Sequence, residues 1–295
     1  MTTELAEKTK PASHSQILAA LAREGLLRIG VPKELGGSGG DLRDVVYAVA
    51  QASRQSLQMA VTFAAQRLLI EVLLRGENIG LMEYRVPGLM SGDISGNCTA
   101  AWSQREEPTP AIARDTGRGW LVSGLTPAVP NLGRDWFLAS VPVAFDESSR
   151  YALALFRSDE DGLMRTPASF TEGTDAMARA SVELRKVYFR DDEIIASDGR
   201  AVVTALASLA AGFKVAIAAG AYLRAAETRG QNVGHALLHT AVGNWVEQVG
   251  VAANKGGDTR VAQSVLKEQL QFASGLDDAG NGPALRQTLA LIAKL

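Results

Sequence analysis

The chain has 295 residues with 30 basic against 32 acidic side chains, so it can bury a large core, and its net charge of −2 offers no field to draw nucleic acid or an anionic membrane. Its single cysteine, Cys98, excludes an internal disulfide and a multi-cysteine zinc site and fits a reducing compartment, with a cytoplasmic location as the expectation. The first residues, MTTELAEKTKPASHS, are polar and lack the apolar stretch of a secretory signal. No later apolar run reaches bilayer length without a charge or a glycine break.

In chain order, Ile17, Leu18, Leu21, Leu26 and Leu27 keep mostly helical spacing, and Gly25 reads as a helix stop. Val31-Pro32 imposes an extended entry to a turn containing Gly36, Gly37, Gly39 and Gly40, after which Asp41 is an N-cap candidate. The turn has neither a Lys-Ser/Thr end nor the G-x-G-x-x-G pattern, which argues for a structural turn over a phosphate loop. Helical periodicity then predicts a helical stretch from Asp41 to Arg75, closed by Gly76. A short helix through Met82 and Tyr84 should follow, with Pro87-Gly88 and Ser91-Gly92-Asp93 as punctuation. From Asn97 to Ile195 the period changes to short alternating runs (GWLVSGL, DWFLASVPVAF, RYALALFRS, ASVELRKVYFRD), predicting a small antiparallel β barrel or sandwich. From Arg200 the chain is alanine-rich and helical, with further helices from Ala236 to Ala253, from Thr259 to Ser274 and up to Leu295. The small residues Ala210, Ala211, Gly212, Ala216, Ala219 and Gly220 permit close helix approach.

The stretch GLLRIGVPKELGGSGG, followed by Pro87-Gly88-Leu89 and by the order helical unit, β unit, helical unit, resembles the acyl-CoA dehydrogenases. The resemblance implies an α+β fold with an N-terminal helical domain at 1–95, a central small antiparallel β domain at 96–197 and a truncated C-terminal helical bundle at 198–295. It also implies FAD as cofactor, an acyl-CoA as ligand, and self-association or pairing with a homologous subunit. The motifs that serve flavin chemistry in that family are only partly present. Ser103 stands where the family's loop supplies a threonine, without the Gly-Ser-Asp that should follow. In GLTPAVPN, Ala128 and Pro130 replace the stacking ring and the hydroxyl donor, while Asn131 keeps its place. Arg229 and Gln231 match the family stretch whose arginine reaches the FAD of a neighbouring subunit.

No carboxylate fills either family position for the base that removes the substrate proton. The first falls at Val203 or Thr204, the second past Leu295, so no catalytic residue is assigned. Cofactor contacts are expected from Arg229, Gln231, Ser103 and Asn131. The combined expectation is an acyl-CoA dehydrogenase-like protein acting as a catalytically silent or helper subunit. The alternative is an active, divergent flavin-dependent oxidoreductase, of dehydrogenase or monooxygenase type, on an acyl thioester or related small substrate. Other constellations are thinner. His235 and His239 have metal-pair spacing without a third ligand, Glu106-Glu107 read as a solvated loop pair, Glu247 as surface charge, and Cys98 as a buried thiol.

Overall fold

The structure is a computed structural model that describes residues 12–102, 109–146, 149–168, 177–227, 243–244, 246–252, 261 and 264–265. Helix α1 (His14–Arg23) starts on a Ser13–Gln16 capping box, and Gly25 follows it with φ 73°. That left-handed angle ends the helix, and Leu26–Arg28 continue as a separate 3-10 turn. The glycine-rich stretch folds back on the Arg28–Val31 segment, with an isolated bridge between Ile29 and Gly39. The Gly39 carbonyl accepts from Gly30 N–H at 2.8 Å, and Gly39 and Ser38 N–H groups donate to Val31 and Arg28. A Cβ on Gly37 would sit 2.1 Å from the Val31 carbonyl oxygen, so only glycine permits this return.

Asp41 caps α2 (Leu42–Gln55), accepting from Arg43 and Asp44 N–H while Asp44 accepts from Asp41 N–H. The helical stretch expected from Asp41 to Arg75 is two helices, because Ser56 adopts an extended conformation and its hydroxyl caps α3 (Leu57–Arg75). A serine that serves as both C-cap and N-cap leaves the apolar periodicity intact on either side, which hides the break from a pattern reading. Pro87, read as punctuation, lies inside α4 (Ile79–Ser91), and the stop is Gly92 at φ 74°. Its ring removes only the N–H that would return to the Glu83 carbonyl, and Pro87 is on the exposed side, where water can serve that carbonyl.

The strands β1 (Ser95–Cys98), β2 (Ala111–Asp115), β3 (Trp120–Leu125), β4 (Phe137–Phe145), β5 (Tyr151–Arg157), β6 (Leu163–Pro167), β7 (Ala180–Phe189) and β8 (Ile194–Ala196) form one sheet, and a short helix α5 (Thr99–Trp102) follows β1. The order is β6-β7-β3-β2-β4-β5-β8, with β1 also on β4. The sheet is antiparallel-rich, as expected, but β4 pairs in parallel with both β1 and β2. One edge of β4 carries β1 along Phe137–Ser140 and β2 along Val143–Phe145, while the other edge carries β5. Parallel pairing is a long-range outcome that alternation within a strand cannot reveal.

After β8 the chain enters α6 (Gly199–Glu227), 29 residues that pack along α2 and α3. By length and composition both α3 and α6 could cross a bilayer. The apolar window of α3 is instead 83% buried inside the protein, and that of α6 56%. Residues 243–244 and 246–252 are helical, in line with the helix expected there. The segments expected as helices from Thr259 to Ser274 and up to Leu295 lie largely outside the described residues. The α2–α6 seam is close because Gly220 has no side chain: a Cβ there would be 2.2 Å from the Ala50 carbonyl oxygen and 2.6 Å from the Ser53 Cβ. Across the same seam the Ser53 hydroxyl donates to the Ile217 carbonyl at 2.6 Å. Gly220→Ala is expected to destabilise the fold by about 2–3 kcal/mol through overpacking, read as a lower urea midpoint at unchanged slope.

Candidate functional site

The segment after β3 is where the sequence places its cofactor contact, and backbone hydrogen bonds fix its course. Thr126 N–H donates to the Val182 carbonyl, and Val182 N–H donates to the Thr126 hydroxyl, both at 2.9 Å. Val129 and Ala180 exchange both bonds, and Asn131 and Leu132 N–H groups donate to the Met177 and Ala178 carbonyls. Asn131 takes φ 65°, a left-handed angle that asparagine tolerates better than most residues. It is fully buried and faces the protein interior. Its Nδ2 donates to Gln66 Oε1 at 2.6 Å and to the Gly96 carbonyl at 2.7 Å, and its Oδ1 meets His14 Nε2 at 2.8 Å. With Nδ2 donating twice, Oδ1 is the acceptor and His14 Nε2 carries the proton.

Gln66 completes the network. Its Nε2 donates to the Leu89 and Ile94 carbonyls, and its Oε1 also accepts from Gly96 N–H. Burial pushes the His14 imidazole below the ordinary histidine range, against the raising effect of its bond to Asn131. Nearby Arg165 lowers it further, and Asp135 raises it.

Beside this segment a small pocket, with room for about one water molecule, is lined by Thr99, Thr109, Ala111, Leu125, Thr126, Pro127, Val141 and Pro142. Its polar lining is thin in donors. The Thr99 hydroxyl already donates to the Ser140 carbonyl at 2.9 Å, Pro127 and Pro142 have no N–H, and the side-chain donors left are the hydroxyls of Thr109 and Thr126, the latter also accepting from Val182 N–H. Pro130, at the place of the expected hydroxyl, has only its carbonyl, which accepts from Asn97 Nδ2. A flavin ring needs donors at its carbonyl and N1 edge, and the described lining does not fit that need. Among the described residues no group of three His, Cys, Asp or Glu could hold a metal ion. Cys98 is buried, and desolvation raises its thiol, as expected of a structural cysteine.

Three cations with lowered basicity lie on the loop before β7, on α6 and on β6. Arg179 lies directly before β7, its carbonyl accepting from Ala168 N–H, and burial lowers its guanidinium to about 10. Lys214 on α6 is lowered to about 8, first by burial and then by the Arg179 charge. Arg165 donates from Nε to the Leu132 carbonyl at 2.7 Å and is lowered by burial and by Arg134. The reading of α6 looked for a carboxylate near Val203 and Thr204 and passed over Lys214. The signal was present, since Lys214 is the only charged residue between Arg200 and Arg224. Ser103, Arg229 and Gln231, with His235, His239, Glu106 and Glu107, lie outside the described residues, and Glu247 is exposed.

Residues 2–93 match the family described as acyl-CoA dehydrogenase, N-terminal domain. No curated protein sequence matches the chain. Among solved structures, PigA with FAD and proline is similar with a TM-score of 0.73 at 16% identity, over 93% of this chain and 83% of that one. The glutaryl-coenzyme A dehydrogenase glutaryl-CoA complex is similar at 0.67 and 15%, over 93% and 80%. The ChsE4-ChsE5 complex from Mycobacterium tuberculosis is similar at 0.66 and 18%, over 97% and 79%. The chain therefore has the acyl-CoA dehydrogenase-like fold in a divergent form, as its N-terminal stretch implied.

Two outcomes follow from the Asn131 network. Asn131→Ala is expected to cost about 2–4 kcal/mol, because it strands buried partners and puts alanine at a left-handed angle, read by urea denaturation. His14 binds fewer protons folded than unfolded between its depressed value and the ordinary 6.5, so its contribution is full above that window and is lost as pH falls through it. Glu160, raised by burial to about 7, acts in the opposite sense, losing stability as pH rises from 4.5. The His14 effect is isolated by comparison with His14→Gln, which keeps a donor. Between pH 7.5 and 5.5 the wild type should lose more stability than the variant, and equal losses would refute the assignment.

Proposed function

We propose that this protein is an acyl-CoA dehydrogenase-like scaffold with degenerate flavin and base sites, acting as a catalytically silent or helper subunit. The observation that carries the reading is the donor-poor surface around Thr126–Asn131: proline and alanine stand at the expected contact positions, and the asparagine that remains is spent on Gln66, Gly96 and His14. The absence of a carboxylate at Val203 or Thr204 supports it, since a general base contributes on the order of 10²- to 10⁴-fold to rate. On this reading the three units at 1–95, 96–197 and 198–295 work in the cytoplasm. Its partner is a second copy or a homologous subunit, to whose FAD Arg229 and Gln231 would contribute.

A second reading is favoured by the fold's likeness to PigA with FAD and proline: an active, divergent flavin-dependent oxidoreductase on an acyl thioester or related small substrate. There Ser103 and residues beyond the described ones would supply the missing donors. The absorption spectrum of the purified chain separates the two. A colourless protein that gains a flavin band and acyl-CoA bleaching only when a homologous subunit is co-expressed is the expected result. Stoichiometric flavin in the chain alone, bleached by an acyl-CoA, would overturn the helper reading.

A further inference from the structure

The turn between β5 and β6, SDEDG, closes around an acid that faces inward. The Glu160 side chain is only 7% exposed, while Asp159 and Asp161 on either side of it are exposed. Its Oε1 accepts from Arg157 N–H at 3.1 Å and from Arg157 Nε at 3.2 Å. Its Oε2 is buried and has no hydrogen-bond partner. A carboxylate needs donors at both oxygens, so a bare buried oxygen favours the neutral acid. The surrounding charges do not reverse this. Arg157, the cation in contact, is shared with Asp159 at 3.7 Å. Glu193 stands directly before β8, which pairs with β5 at Ala154 and Ile194, and it sets a like charge against Glu160. Arg85 on α4 interacts with Arg157, Asp159 and Glu193, and Arg185 on β7 is paired with Glu183.

Hydrogen bonds tie this turn to two other strands. Ser158 N–H donates to the Phe137 carbonyl at 3.0 Å and Phe137 N–H to the Ser158 hydroxyl at 3.2 Å, which fastens it to the start of β4. Arg185 N–H donates to the Gly162 carbonyl at 2.9 Å, and Leu163 N–H to the Glu160 carbonyl at 3.0 Å. We propose that Glu160 is a proton-operated latch: as the neutral acid it lies inside and holds the β5–β6 turn closed, and on ionising it swings out to water and lets the turn open. Opening breaks these bonds but hydrates both carboxylate oxygens and separates them from Glu193. Burial raises the group from 4.5 to about 7, against the bond from Arg157 N–H, and Glu193 adds to the rise. The closed turn therefore holds the proton more tightly than the open one. Its advantage is full below about 4.5 and is lost as pH rises through about 7. Through Ser158 the release reaches β4, the strand that carries β1, β2 and β5. The latch uses none of the residues expected to contact flavin, so it stands under either functional reading.

The test is amide hydrogen exchange of the full chain at about pH 5.5 and about pH 7.5, corrected for the intrinsic exchange rate at each pH. In the wild type, protection across Arg157–Leu163 is expected to fall on the order of tenfold between the two. Glu160→Gln keeps an acceptor for Arg157 and cannot ionise, so its protection there should be the same at both. The Thr116–Gly119 turn, closed by Thr116 N–H on the Gly119 carbonyl at 2.9 Å, serves as a reference within the wild type and should not respond. That comparison needs no variant and decides the matter should Glu160→Gln not fold. Protection across Arg157–Leu163 that is independent of pH, or that falls equally in Glu160→Gln or in the reference turn, would overturn the proposal.

Discussion

The structure depends on one side chain in the middle of α3. Gln66 is fully buried on a helix that is buried nearly all round, and both ends of its amide are used. Nε2 holds the end of α4 and the approach to β1 through the Leu89 and Ile94 carbonyls, and Oε1 holds β1 and the post-β3 segment through Gly96 and Asn131. A buried amide left unpaired costs about 1–3 kcal/mol, so these four bonds act as a constraint on position more than as a source of net stability. Gly96 makes the constraint geometrically possible, since a Cβ there would lie 2.3 Å from Leu69 Cδ2 and 2.7 Å from the Leu138 carbonyl oxygen.

The next residue in sequence extends the same logic towards the N-terminus. Arg67 is fully buried, pairs with Glu71 at 2.9 Å and donates to the Gly30 carbonyl at 3.0 Å, while Glu71 also holds Arg75. Burial lowers Arg67, and the Glu71 charge raises it again. An ion pair in such a place contributes less to stability than its distance suggests, because desolvation opposes the attraction, yet it fixes where the Gly30–Gly39 return meets the helix. Two successive polar residues of α3 therefore orient both flanking units, which explains why a helix of membrane-spanning hydropathy is the internal spine of this molecule.

This arrangement shapes the functional region. The segment from Thr126 to Leu132 is pinned to β7 by backbone bonds and to α3 by Asn131, so most of its polar capacity is spent inward. What remains near it is a pocket wall thin in donors. Chemistry that needs several neutral donors along a ring edge is poorly served by such a surface.

The sequence by itself determined the succession of helical, β and helical units, because hydrophobic period is a local property and survives in Val45, Val46 and Val49 or in YALALFR whatever surrounds them. It also determined the cap at Asp41 and the turn at Gly36–Gly40, where the required backbone angles restrict the residue type. The break at Ser56, the helix running through Pro87 and the parallel pairs of β4 were decided only in the folded molecule, since each rests on which distant surface is available. The same holds for function. Asn131 was legible as a motif position, but its orientation towards Gln66 and His14 depends on α1 and α3, more than sixty residues away in sequence.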